Sequence, residues 1–153
     1  MPRQTISARA WSPASPTAIY SLLRDGATWP TWSPIGSFEL LEGGEDGGDS
    51  LGAIRVFHTG RTRSVERVVT TDPGRRFSYE LVRGIPIRHY RADIDLTARD
   101  GGTEIHWHSS FDAKIPGTGA YIRRTLQRFI QQCVDGLAAY APTVKDASAS
   151  ETA

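Results

Sequence analysis

Few side chains in this sequence can do chemistry near neutral pH: four histidines, one cysteine and a handful of phenols among 153 residues. His58 ends the run Ile54-Arg55-Val56-Phe57-His58. An imidazole there suits general-base work if a partner such as Tyr79 or Glu66 orients it. The plainer alternative is a hydrogen-bonded wall residue, or an outward one if the strand bulges. Tyr79, Tyr90 and Ser109 offer hydroxyls to a ligand, although a buried phenol takes protein or water as readily. Asp93 and Asp95 face His106 and His108 across a turn, with imidazoles two apart on one strand face. That pattern can ligate a metal. The face is expected to meet solvent, however, where acid–imidazole rows are modest cross-strand contacts, so no metal is expected. Cys133 falls on an apolar helical stripe, where an inert core thiol is the default. No Gly-x-Ser-x-Gly elbow, phosphate loop or dinucleotide fingerprint occurs, and the glycine-rich Gly43 to Gly48 is acidic and lacks the lysine a phosphate loop needs. Catalytic residues stay unassigned, with His58 and Tyr79 the two candidates, and no cofactor is expected.

Such groups need a scaffold, and the composition bounds it. The length is that of one domain, with a core large enough to need no staples. Apolar residues at 39% and charged residues at 23% suit a folded chain rather than a disordered one. A net charge of +1 gives no general drive toward nucleic acid or anionic membrane. A single cysteine excludes an intrachain disulfide. No apolar run reaches the roughly 20 residues of a bilayer span, and the N-terminus lacks the apolar core of a signal peptide. A cytoplasmic protein, monomer or homodimer, without nucleic-acid partner or membrane span, is expected. Residues 1–144 read as one ligand-binding domain and 145–153 as a disordered polar tail.

The periodicities then set the order of elements. Gln4 to Trp11 alternates as a strand. Ser15 caps a short helix with Pro16 in its first turn and Gly26 at its end. Trp29-Pro30-Thr31-Trp32-Ser33-Pro34 is a helical turn or loop carrying two indoles. Strands follow at Ser37 to Glu42, Leu51 to Thr59, Arg61 to Thr71, Arg75 to Arg83, Ile87 to Arg99 and Gly102 to Lys114. The two flanking Gly60 form a hairpin. Beyond Pro116-Gly117, Ile122, Leu126, Phe129, Ile130, Cys133, Leu137 and Tyr140 recur at helical spacing until Pro142. Arg123, Arg124, Gln127, Arg128, Gln131 and Asp135 cover the opposite side. The scattered arginines Arg61, Arg63, Arg67, Arg75, Arg76, Arg83, Arg88 and Arg91 read as a solvated outer face. Consecutive strands with short turns make an antiparallel meander that twists and curls. One long helix is narrower than such a sheet, so part of the concave face must be filled by side chains, short helices or a ligand.

One hairpin can be registered in advance. Asp100-Gly101 reads as a two-residue turn pairing Arg99 with Gly102, whereas a three-residue glycine bulge would slip the pairing but keep each strand's faces. Leu96 then faces Ile105, Ile94 faces Trp107, Ala92 faces Ser109 and Tyr90 faces Phe111 on an apolar face. Thr97–Glu104, Asp95–His106, Asp93–His108 and His89–Asp112 lie on the other. The concave wall is therefore expected to hold Tyr90, Ile94, Trp107, Ser109 and Phe111. Phe77, Tyr79 and Leu81 join them, as do Ile54, Val56 and His58. The helix adds Ile122, Leu126, Phe129 and Ile130. Such a lining suits a mainly apolar ligand with a few polar atoms.

The sequence also resembles a known group. Ser15-Pro16-x-x-Ile19-Tyr20-x-Leu22, the Trp29 to Pro34 segment, Leu51-Gly52-Ala53, Val68 to Pro73 and Gly101 to Trp107 are similar to the SRPBCC, or START-like and Bet v 1-like, superfamily, in its bacterial polyketide cyclase/dehydrase branch. The resemblance spans roughly residues 4 to 141. It implies an α+β helix-grip fold: a curved antiparallel sheet of about seven strands around a long C-terminal helix, with two short helices after the first strand. It places Trp29 and Trp32 near the cavity mouth, Trp32 as a ligand contact. The function implied is binding of a polyketide- or lipid-like molecule. The alternatives are a cyclase, aromatase or dehydratase using general acid–base chemistry, and a toxin-like or regulatory interaction module.

Overall fold

A computed structural model describes residues 3–144. The expected polar tail, 145–153, lies outside the described residues. Strand β1 (Gln4–Ser12) leads into α1 (Pro16–Arg24), a 3-10 turn (Gly26–Thr28) and the single helical turn α2 (Trp29–Trp32). Six strands follow: β2 (Ser37–Glu42), β3 (Ile54–Thr59), β4 (Thr62–Asp72), β5 (Arg76–Arg83), β6 (Ile87–Arg99) and β7 (Gly102–Ala113). Helix α3 (Gly119–Tyr140) closes the fold, and a 3-10 turn opens at Ala141 with Pro142 in its first turn. Every neighbouring strand pair is antiparallel, in the order β1-β7-β6-β5-β4-β3-β2. The helix-grip architecture is thus as expected, with β3 starting three residues later because Leu51 to Ala53 form a turn.

Local chemistry explains the ends of the elements. The Ser15 hydroxyl accepts the Ala18 N–H at 3.1 Å and satisfies one free donor of α1. Asp100 and Gly101 both take positive φ, 51° and 76°, as a two-residue hairpin turn of primed type requires. From that turn the pairing runs as expected through Arg99–Gly102, Leu96–Ile105, Ile94–Trp107 and Ala92–Ser109. It then slips. His89, at φ 55°, forms a bulge, so Arg88 rather than His89 stands opposite Asp112 and Tyr90 has no direct partner. The extra residue turns Ile87 inward beside Tyr90, and both are buried in the main core. The His89 imidazole still reaches the Asp112 carboxylate at 2.9 Å.

Helix α3 crosses the concave side nearest β1. Gln127 and Gln131, expected on the solvent side of the helix, reach back to this edge strand instead. The Gln127 amide accepts from Ser7 N–H and donates to Ser7 C=O, while Gln131 donates to the Arg9 carbonyl. These bonds occupy backbone groups that an uncovered edge would leave available for pairing with another chain. The C-terminal half of α3 sinks deepest. A Cβ on Gly136 would fall 1.8 Å from the Trp32 carbonyl oxygen, so only glycine lets the helix backbone approach α2 this closely.

Candidate functional site

The concave face divides into a packed region and a hollow one. In the packed region Trp29 is the hub, with ring centroids 4.9 Å from Trp32 and from Phe57, 5.4 Å from Trp107 and 6.1 Å from Tyr79. Trp32, Phe77, Ile94 and Trp107 are buried here, while Phe111, also buried, meets Tyr90 with ring centroids 6.4 Å apart. Ser109 is buried as well. The two indoles of the Trp29 to Pro34 segment therefore fill the space between short helices and sheet. Trp29 donates its ring N–H to Leu23 C=O and Trp32 donates to the Thr28 hydroxyl, so both polar tips are committed.

The hollow region lies beneath the N-terminal half of α3. It is a cavity of about 410 Å³. Tyr79 and Leu81 of β5 and Tyr90 of β6 line one side, with Ile85 and Pro86 from the connecting loop. Helix α3 lines the other through Tyr121, Ile122, Thr125, Leu126, Phe129 and Ile130. Strands β3 and β4 supply Thr59, Thr62, Ser64 and Glu66. Of the wall residues expected from sequence, Tyr79, Tyr90, Leu81, Ile122, Leu126, Phe129 and Ile130 meet in this cavity, while the inner aromatic residues form the packed floor beside it.

Strand β3 corrects the expectation. Ile54, Val56 and His58 point to the convex face, and Ile54 and Val56 make a separate small cluster there with Val65. The side chains that look inward are Arg55, Phe57 and Thr59. The strand's face assignment is reversed, and with a period of two a one-residue error moves every side chain to the other side. His58, opposite Ser37 and Arg63 in the register, is not among the residues lining the cavity, which removes it as a general base there.

What replaces it is a buried charged pair. Arg55 stands opposite Glu66 across the β3–β4 hairpin, so both side chains share the inner face. The Arg55 guanidinium is fully buried, 4.9 Å from the Trp29 and Phe77 ring centres and 5.1 Å from that of Phe57. One nitrogen donates to the Leu23 and Arg24 carbonyls and to Asp49 at 3.2 Å. Its Nε and other terminal nitrogen have no protein partner. Burial pushes this guanidinium below its ordinary value, against the pull of Glu66 and Asp49. Glu66 is buried at the cavity wall with Oε1 unpartnered. Burial pushes its carboxyl up to about 7, against the pull of Arg55 and Ser64. The phenols of Tyr79 and Tyr90 are also raised by burial, Tyr90 to about 12 and Tyr79 well above its usual value, so both are neutral hydrogen-bonding groups at physiological pH. Cys133, close enough for Glu66 to act on it, is pushed up by burial and stays a thiol. The cavity thus joins an apolar lining to one carboxyl that titrates near neutrality. Glu66 was missed as a lining residue because a charged side chain reads as solvent-facing. The available signal was its position directly across the Gly60 hairpin from Arg55, with Ala53 and Phe57 on the same parity.

The outer face carries the acid–imidazole row. Asp95, His106 and His108 bring their ligating atoms within 4.8 Å of one another and are the described residues that could hold a divalent cation. Their polar atoms are already engaged. Asp95 takes two bonds from Arg76, at 2.5 and 3.0 Å, and one contact from His108 at 2.7 Å, while His106 meets the Ser7 hydroxyl at 2.8 Å. Burial works upward on the Asp95 carboxyl, yet Arg76 and His108 hold it below the usual range.

The comparisons agree with this architecture. The family described as "Polyketide cyclase / dehydrase and lipid transport" matches residues 3–142, nearly the whole chain. The protein belongs to that family. A START superfamily protein from Mycobacterium smegmatis superposes with a TM-score of 0.79 at 15% identity, covering 93% of this chain and 99% of its own. The Zhui aromatase/cyclase from Streptomyces sp. R1128 gives 0.75 at 15% identity, covering 96% and 98%. A protein from Thermus thermophilus gives 0.73 at 17%, covering 93% and 99%. At such identities these structures share the fold with this family member. No curated protein matches the sequence. Among the described residues no helix is long and apolar enough to cross a membrane.

Proposed function

We propose that this protein holds a mainly apolar small molecule, polyketide- or lipid-like, in the cavity beneath α3. The observation that carries this reading is the cavity itself: about 410 Å³, walled by Leu81, Ile85, Ile122, Leu126, Phe129 and Ile130, within a family described by polyketide chemistry and lipid transport. Hydrocarbon removed from water against such a wall gains about 25 cal/mol per Å². Tyr79, Tyr90 and the threonine and serine hydroxyls orient the polar atoms. The test is titration with Nile red, a neutral apolar dye. Saturable fluorescence enhancement, abolished by Leu126→Trp in a folded protein, supports the reading. No saturable binding, together with no small molecule retained in native mass spectrometry of protein purified from its own host, would refute it.

Glu66 favours a second reading, a cyclase or dehydratase. A buried carboxyl near pKa 7 is suited to taking a proton from one carbon of a folded poly-ketone and returning it to a leaving hydroxyl. Turnover lost in Glu66→Gln with ligand binding retained would favour this reading over simple carriage.

A further inference from the structure

We propose that the cavity selects an apolar amine, its hydrocarbon body against α3 and its ammonium donating to the Glu66 carboxylate. This rests on the reading that the cavity holds an apolar ligand, and it names that ligand's buried end.

The argument starts from charge. Among the cavity-lining residues Glu66 is the one carboxyl, and no lysine, arginine or histidine accompanies it. An anionic head, a carboxylate or phosphate, would enter a low-dielectric site with no counter-charge on the wall and a carboxyl facing it. Arg55 relieves this only in part: it is outside the lining, one nitrogen is held by Asp49 and two carbonyls, and its charge acts on both Glu66 and Asp49. With one guanidinium between two carboxylates, ionised Glu66 leaves the cluster one positive charge short.

The second element is geometry. Glu66 lines the cavity, and its Oε1 is a buried acceptor without a protein partner. A buried polar atom left unpaired is costly, so a ligand that brings a donor to this carboxyl is favoured. An ammonium supplies that donor and the missing charge together, and a charge-assisted bond is roughly twice as strong as a neutral one. The aromatic side chains of Tyr79, Tyr90 and Phe129 border the same space, as suits a desolvated cation.

The third element is titration. The groups that bear on Glu66 are Arg55 from β3, with Asp49 behind it, Ser64 on its own strand, Tyr79 from β5, Tyr90 from β6 and Cys133 from α3. Arg55 favours the carboxylate and burial opposes it, which leaves Glu66 divided between its two forms near pH 7. A bound ammonium draws it to the ionised form, so amine binding releases a proton from the protein below that pH.

The experiment is displacement of Nile red by three ligands of one chain length: decylamine, decanol and decanoate, each below its micellar concentration. Decylamine should displace the dye at a concentration at least about tenfold lower than decanol, a difference of about 1.4 kcal/mol, and decanoate should be weakest. In Glu66→Gln the amine's advantage over decanol should vanish. In the unaltered protein that advantage should grow between about pH 5.5 and 8.5, a range in which an alkylamine, like lysine at about 10.4, stays charged. This pH series needs no variant. Decanoate equal to or better than decylamine, an unchanged order in Glu66→Gln, or a flat pH profile each overturns the proposal. Binding of the dye with no amine preference leaves the ligand-holding reading intact, whereas failure of the dye and all three ligands refutes both.

Discussion

Two ends of one concave face are treated differently in this molecule. Around Trp29 and Trp107 the space between sheet and helices is filled by interlocking rings, and α3 is buried through Ile130, Cys133, Val134, Leu137 and Ala138. Beneath the first three turns of α3 the same face is hollow. Ile122, Leu126 and Phe129 are only half-buried, and Tyr121 is 72% exposed. One helix therefore does two jobs: its C-terminal half is core and its N-terminal half is a roof. An apolar stripe on a helix predicts burial, but not whether protein or a cavity lies under it.

The contrast can be broken by truncation at each end. Trp107→Ala should cost about 3–5 kcal/mol of unfolding free energy in urea titration, because the rigid surroundings cannot collapse into the space. Phe129→Ala should cost under about 2 kcal/mol, since its ring already borders a void, while weakening Nile red binding. Equal losses at the two sites would mean that the hollow region is filled in solution.

Next in size is the pH dependence written into Glu66. Its folded pKa is about 7 against an ordinary 4.5, so the folded state binds the proton more tightly than the unfolded one. The associated stability is fully present below about pH 4.5 and is lost as pH rises through about 7, on the order of 3 kcal/mol in all. Glu66→Gln should lack this loss, so the two proteins' stabilities should diverge in favour of the variant between about pH 5 and 8, with a slope of up to about one proton. Parallel stability curves would contradict the burial of this carboxyl.

A smaller effect comes from filling. Ser64→Leu should leave stability within about 1 kcal/mol, because the cavity has room for the added carbons, and should abolish dye binding. At the packed end Ala53→Leu should lose about 1–3 kcal/mol by overpacking. Smallest is the convex face. Arg67→Ala, which breaks the half-exposed pair with Glu80 at 3.1 Å, should change stability by under about 0.5 kcal/mol and leave the dye unaffected.

Much of this was legible from residue types alone. The β6–β7 register followed from Asp100-Gly101, because that dipeptide dictates a two-residue turn and the alternation then fixes both faces. The helix and its stripe followed from spacing. The failures have one cause each. At His89 a single extra residue shifted the outer pairs, and a bulge leaves little trace in a pattern of period two. On β3 both parities are apolar, Ala53 and Phe57 against Ile54 and Val56, and the charged Arg55 tipped the choice the wrong way. A guanidinium sunk among Trp29, Phe57 and Phe77 is the exception that hydrophobic patterning is bound to misread.

That sunken guanidinium gives meaning to the stretch that looks most like filler. Gly43 to Gly48 has the composition of a disposable spacer, yet it delivers Asp49, whose carboxylate reaches both Arg55 and the Gly26 N–H, at 2.7 Å. The spacer's length is thereby a fixed dimension, set by the need to bring one anion to a cation hidden in the interior. Trimming it by a residue or two should therefore harm the protein more than altering most of its surface.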